Sequence, residues 1–531
     1  MQLHILLDEN ALEKESAVSR GWSESAGQWL IEKIIDLPNF DHDPWEAESL
    51  PKAMSVSNLT EQSDALSSCD VILHLTPRPL GKQFTQRFDK IWTAELPALQ
   101  RRIAHYLLTR APFIWVHLWQ VQAQADAQNR QHKRIASHTL PCQTYSISDL
   151  RRLTYSALPN VFMSRLVWLA NTTECELASI DVQAIQQGVF NTERKHAEVD
   201  AQQTLALLDK RVATDSKNHR TNLSSALGLL IRQSYERLHN RFFSECWELA
   251  LAPEESHDNS PRAQTGSKIS RLASAAKAPV HHFKSITRNT DALWADPHLV
   301  EHNGDTFVFF ERMQKHNENA HIAYAALDDK GEVIRTGIAL SADSHLSFPC
   351  VFSHNNDYYM IPETASRRSI NLYKANRFPD SWEHHATVLS GVNAADTVMF
   401  HYQNRWWMFT NCQSHRSVDE RDELHIYFAN ELKGPWQPHA LNPVLTGVDR
   451  SRMAGAIIEE DGCFYRPSQY GAYRYGFGIN LNRIDVLTPF AYRESAVWRI
   501  LPDADTTWKG CHSFAHSAHF SMIDRVRFRR R

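Results

Sequence analysis

Four segments of this 531-residue chain repeat one pattern: a polar turn, an aromatic or apolar pair, and a polar side chain at the far end. They are HNGDTFVFFE (302–311), HNNDYYMIPE (354–363), YQNRWWMFTN (402–411) and EDGCFYRPSQ (460–469), in steps of 52, 48 and 58 residues. Each reads as a β-turn followed by a strand with two-residue alternation. Units of roughly 50 residues are in the range of propeller blades. One more step of 58, taken from Ala454 in the strand before the last turn, reaches His512, so the remaining length accommodates a fifth unit. The expected fold of 285–531 is a five-bladed β-propeller.

The same steps align the strand before each turn, and that column reads Asp296, Phe348, Asp396, Ala454 and His512. Equivalent inner-strand residues of a propeller converge on its axis, which would gather Asp296, Asp396 and His512 around one pocket. A second column closes each hairpin: Glu311, Glu363, Asn411 and Gln469. A polar column inside a β-core indicates either a site or an inter-blade ring of hydrogen bonds. Arg452, Arg466 and Tyr470 flank the fourth unit. Arginine there would clamp a carboxylate or phosphate, or form an inter-blade salt bridge with Glu363 or Asp396. Trp294, Trp406, Trp407 and Tyr358 are stacking candidates for a sugar ring, although paired aromatics are more often core. His512, His516 and His519 have metal-like spacing only on a helix; on a strand His519 points away from the other two. No three-histidine metal site is expected, and only an axial ion near His512 is kept in view.

The first half has a different texture. Apolar runs at 3–7, 70–75 and 112–118 read as strands, and 27–37 and 98–108 as helices. That alternation suggests a Rossmann-like α/β domain over 1–175, without a dinucleotide fingerprint or P-loop. Residues 176–252 carry helical spacing at 201–208 and 223–238, and polar, proline-bearing sequence marks a linker over 253–284. The whole is expected to be multidomain, α/β plus all-β, with a helical middle. Net charge is −4, and the basic run at 525–531 is short, so nucleic acid is not an expected partner. There is no apolar stretch of about 18 residues to span a membrane and no secretory leader pattern. Eight scattered cysteines without a C-x-x-C suggest a reducing compartment, hence the cytoplasm, with peripheral attachment to an inner membrane compatible.

In order along the chain, WADPHLV, HLSFPCVF, YYMIPE, ADTVMF, RWWMFTN, GPWQPHALNPV and YRPSQYGAYRYG resemble the five-bladed propeller domain of the glucosamine inositolphosphorylceramide transferase N-terminal type. That domain is itself similar to family 43 glycoside hydrolases, and in bacterial proteins it can follow a formyltransferase-like domain. DVILHLT, KIW and HTLPCQTYSISDLRRL give 1–175 a faint, degenerate likeness to the latter. The family 43 resemblance implies an aspartate base in the first blade, a pKa-tuning aspartate in the third, a glutamate acid in the fourth and a histidine in the fifth. Asp296, Asp396 and His512 match, but Ala454 stands where the acid belongs, leaving Glu363 as its substitute. Glu311, Arg452, Arg466, Gln469 and His512 would then bind substrate. The resemblance implies a carbohydrate-active protein taking a glycan, glycolipid or nucleotide-sugar-derived substrate in polysaccharide or glycoconjugate biosynthesis. Two alternatives stand beside it: a non-catalytic glycan-binding or scaffolding partner of a glycosyltransferase, and a hydrolase or transglycosidase with a displaced acid.

Overall fold

A computed structural model describes six strands between residues 3 and 141. Between 243 and 530 it describes all but 254–282, 288–291, 315–318, 365–367, 413–421, 472–473 and 503–507. The chain divides into two compact units, the first essentially Met1–Val167.

In the first unit the sheet order is Ala53–Ser55, Leu3–Leu7, Val71–His74, Ile91–Thr93, Phe113–Val121, His132–Pro141. The first four strands run parallel, and each of the last two pairs antiparallel with the strand before it. The strands expected at 3–7, 70–75 and 112–118 are present. The helices that would make this layer Rossmann-like, and the helical spacing at 201–208 and 223–238, fall outside the described residues, as does nearly all of the 253–284 linker.

The second unit is a five-bladed β-propeller. Blade one comprises Ala292–His302, Asp305–Gln314, His321–Leu327 and Val333–Leu340; blade two, Ser347–His354, Asp357–Glu363, Ser369–Arg377 and Ser381–Ser390. Blade three is Ala394–Tyr402, Arg405–Cys412 and Glu423–Ala429, with Gln437–Pro438 and Leu445–Thr446 on its outer side. Blade four is Ile458–Glu460, Cys463–Tyr470, Gly478–Leu487 and Tyr492–Ile500.

Each repeat hairpin turns through two residues of positive φ: Asn303–Gly304, Asn355–Asn356, Gln403–Asn404 and Asp461–Gly462. Turns of that handedness match the twist of the flanking strands, which is why Asn, Asp and Gly recur there. The aromatic that follows the turn seals the next interface. Tyr358 of blade two meets His302 of blade one, Trp406 meets His354, and Phe464 meets Tyr402, with ring centroids 5.1, 4.9 and 4.6 Å apart. Trp294, Trp406 and Trp407 are buried and Tyr358 bonds His302, so the stacking candidates are core or interface residues.

Blade five closes the ring from both ends of the unit. Its inner strands Trp508–Gly510 and Phe514–His516 pair with Phe520–Arg530, which pairs along its whole length with Phe243–Pro253. Lys284–Ser285 completes the sheet. This corrects two expectations. Phe243–Pro253 is a strand, although 176–252 was expected to be helical, and the propeller begins well before 285. Glu, Leu and Ala in FSECWELALAP favour helix locally; the partner strand overrides that preference.

Candidate functional site

Asp296, Phe348 and Asp396 share a backbone conformation. Their φ values are +53, +43 and +50°, in the left-handed region that L-residues seldom occupy. Each lies at a break in strand register, with Asp296–Pro297, Phe348–Pro349 and Asp396–Thr397 each facing a single partner residue. A bulge of this kind re-aims side chains, and proline as its second residue removes a donor that the ladder would not use. The column read from the repeat is therefore a column of bulges in three blades. Ala454 is fully buried and His512 nearly so.

The second column ties adjacent blades. Glu363 Oε2 accepts from Asp396 N–H at 3.1 Å, and Asn411 Oδ1 accepts from Met453 N–H at 2.9 Å. Asp524 Oδ2 accepts from Asp296 N–H at 3.1 Å. Asp524, the fifth-blade counterpart, was missed, because a uniform step of 58 points past it. The fifth hairpin is shorter, pairing His516 with Ser521, so its far end lies fewer residues on.

Around the axis the charges interlock. His512 Nε2 lies 3.3 Å from Asp296 Oδ1, and its Nδ1 lies 2.7 Å from Asp524 Oδ2. The latter contact is not aligned as a hydrogen bond, so it acts as an ion pair. Ser513 Oγ–H donates to Asp296 Oδ1 at 2.7 Å, and Phe348 N–H approaches Asp296 Oδ2 at 3.4 Å. Arg452 Nε donates to Asp396 Oδ2 at 2.5 Å. The Arg452 guanidinium sits 5.0 Å above the ring of Tyr475, which is 41% exposed and also meets the His512 ring at 5.2 Å. Trp247, from the strand that closes blade five, covers His512 with centroids 4.3 Å apart. Gly476, at φ +65°, lets the Tyr475 loop approach; a Cβ there would come within 2.5 Å of the Trp247 ring.

Burial pushes the Asp296 carboxyl up to about 7; His512 opposes this, and the Glu311, Asp524 and Asp396 charges add to it. Burial, then the Asp396 charge, pushes Glu363 up to about 8 against the pull of Arg452. Burial works against the His512 imidazolium, but the charges of Asp524 and Asp296 overcome it and hold its pKa at about 9. At neutral pH the cluster thus holds a protonated Glu363 and a cationic His512 beside the Asp396–Arg452 pair.

The structure brings Asp296, Glu363, Asp396, Arg452 and His512 together. Glu311 lies nearby and pairs with His345 at 3.2 Å. Gln469 donates to Met453 O within its own blade, at 3.2 Å. Arg466 is not at the axis: it is 0% exposed and forks onto both carboxylate oxygens of Glu494, each at 2.7 Å. Its remaining bonds go to Arg450 O at 2.7 Å and Met453 Sδ at 3.6 Å. His516 bonds Ser521, and His519 is exposed in a turn.

Asp296, His512 and Asp524 hold donor atoms within 4.8 Å of one another, the geometry of a small cation site. Both imidazole nitrogens face a carboxylate and Asp524 already accepts three N–H groups. An imidazolium supplies the positive charge here, and a metal ion would have to displace its proton.

Residues 266–522 match the family described as Glucosamine inositolphosphorylceramide transferase 1, N-terminal. Over 207 residues the chain is 33% identical to glucosamine inositolphosphorylceramide transferase 1 of Oryza sativa subsp. japonica, covering 38% of this chain and 28% of that protein. The Arabidopsis thaliana protein of the same name is 32% identical over 206 residues, 38% of this chain and 27% of its own length. The chain thus spans little more than a quarter of these relatives. Among solved structures, Zg3597, a family 117 glycoside hydrolase of Zobellia galactanivorans, aligns with 54% of this chain and 90% of its own at 12% identity and TM-score 0.33. An exo-1,5-α-L-arabinanase from a bovine ruminal metagenomic library aligns with 46% of this chain and 95% of its own at 12% identity and TM-score 0.32. These alignments are too loose to carry the position of any side chain. The family match takes in blades one to four and the inner strands of blade five. It begins at 266, so the formyltransferase-like reading of 1–175 gains no support from it.

Proposed function

We propose that the propeller axis is the sugar site of a carbohydrate-active protein, taking a glycan or glycolipid headgroup in polysaccharide or glycoconjugate biosynthesis. The observation that carries this reading is that every blade sends a charged group into one buried cluster: Asp296, Glu363, Asp396, Arg452, then His512 with Asp524. An axis that served packing alone would be filled with apolar side chains. The transferase names of the relatives support a sugar or glycolipid ligand.

The cluster also holds the elements of acid–base chemistry. Glu363 is protonated at neutral pH and serves as the acid; Asp296, poised about 7, serves as the base; Asp396, held by Arg452, tunes both. A glycosidic bond needs such a pair of carboxyl groups in opposite protonation states. A second reading, a binding subunit without turnover, is favoured by Ala454 in the fourth blade and by the engagement of Glu363 Oε2 with Asp396 N–H. A glycan array combined with a turnover screen of p-nitrophenyl glycosides and nucleotide sugars separates them. Retention with turnover that Glu363→Gln abolishes supports the enzyme. Retention without turnover supports the binding subunit, and no retention of any glycan sinks both.

A further inference from the structure

Asp524 is completely buried in the strand Phe520–Arg530, and its two oxygens serve different blades. Oδ1 accepts from the N–H groups of His512 and Ser513 at 2.8 and 2.9 Å, fixing the inner segment of blade five. Oδ2 accepts from Asp296 N–H in blade one at 3.1 Å and lies 2.7 Å from His512 Nδ1. The segment it fixes supplies Ser513 Oγ–H to Asp296 Oδ1, so backbone and side chain of Asp296 are both set from this strand. Leu249 of the closing strand pairs directly with Asp524.

We infer that Asp524 is a positioning residue: it couples closure of the ring at blade five to the placement of Asp296 and His512. The bulge at Asp296 gives this coupling its purpose. A φ of +53° persists only where surrounding contacts over-determine it, and the bond from Asp296 N–H to Asp524 is one of those contacts. The inference rests on the axis being the sugar site; its test does not.

The test is amide hydrogen exchange on the full chain, wild type against Asp524→Asn. Asparagine keeps the shape but presents one oxygen and one NH2 where aspartate presents two acceptors. Whichever way it turns, one side meets a donor. Either Asp296 N–H or the His512/Ser513 pair should therefore exchange at least about tenfold faster, while the ladder amides between Phe243–Pro253 and Phe520–Arg530 keep their protection. Unchanged protection at all three amides overturns the inference. So does an equal loss along the ladder, which would make Asp524 a residue of seam stability alone. If Asp524→Asn does not fold, wild type decides. Asp296, His512 and Ser513 N–H must then be as protected as the ladder, and fast exchange there refutes the coupling. Any glycan that wild type retains on an array should bind Asp524→Asn at least about tenfold more weakly. An array on which wild type retains nothing counts against the proposed function and leaves the exchange result standing.

Discussion

The backbone N–H of Asp296 donates to Oδ2 of Asp524 across 3.1 Å, joining positions 228 residues apart. Blade one is thereby fastened to the last blade at the level of the charged axis. The strand carrying Asp524 is flanked by Phe243–Pro253, so axis and seam form one unit.

A chain beginning at residue 285 should therefore fail to fold. It lacks Phe243–Pro253 and leaves the eleven-residue strand Phe520–Arg530 with an open edge, a template for aggregation. Size-exclusion chromatography and thermal melting are the checks. A soluble monomer melting like the full chain would contradict the closure described above.

Arg466→Met should cost about 3–5 kcal/mol in urea unfolding, because it leaves the buried Glu494 carboxylate without its partner. Arg466→Met with Glu494→Leu should recover much of that loss. Glycan retention should be unaffected in the double variant, since neither residue reaches the axis.

Gly455→Ala should part blades four and five. Gly455 has φ +150°, and a Cβ there would lie 2.0 Å from Phe514 O, beside the bond from Phe514 N–H to Ala454 O. The expected cost is about 1–3 kcal/mol for such overpacking, read as a lowered melting temperature; an unchanged one would refute it.

The propeller should lose stability as pH rises from 7 to 9. Folding raises Asp296 from 3.8 to about 7, Glu363 from 4.5 to about 8 and His512 from 6.5 to about 9, so these three groups bind more protons in the folded chain than in the unfolded one. Burial lowers His298 and His439 from 6.5 to about 4, which opposes them near pH 6 and fades by about pH 8. Stability falls with pH wherever the folded state holds the excess. The His512 contribution is complete below 6.5 and is lost through 9. Glu363→Gln should show a smaller drop in melting temperature between pH 7 and 9 than wild type; an equal or larger drop would contradict the raised carboxyl.

Much of this was legible in the residues. The aromatic-after-turn repeat encodes a twist-matched hairpin and an inter-blade ring contact, so four blades and the Asp296–Phe348–Asp396 register could be read directly. Blade five could not, because half its sheet comes from Phe243–Pro253, whose residues favour helix until the partner strand is present. Its short hairpin also moved Asp524 off the repeat spacing, and Trp247 went unnoticed with its strand. The Arg466–Glu494 pair was not legible, because Glu494 lies on the blade's outer strand, 28 residues on, where no repeat pattern points. Tyr475, the exposed ring over Arg452 and beside His512, sits in a loop without strand periodicity.

The most direct measurement is calorimetric titration of a glycan retained on the array into wild type and Asp296→Asn, with melting temperatures recorded alongside. An axial sugar site predicts at least about tenfold weaker binding by Asp296→Asn, with the fold retained. Equal affinity in a folded Asp296→Asn protein would place the ligand elsewhere and contradict the account.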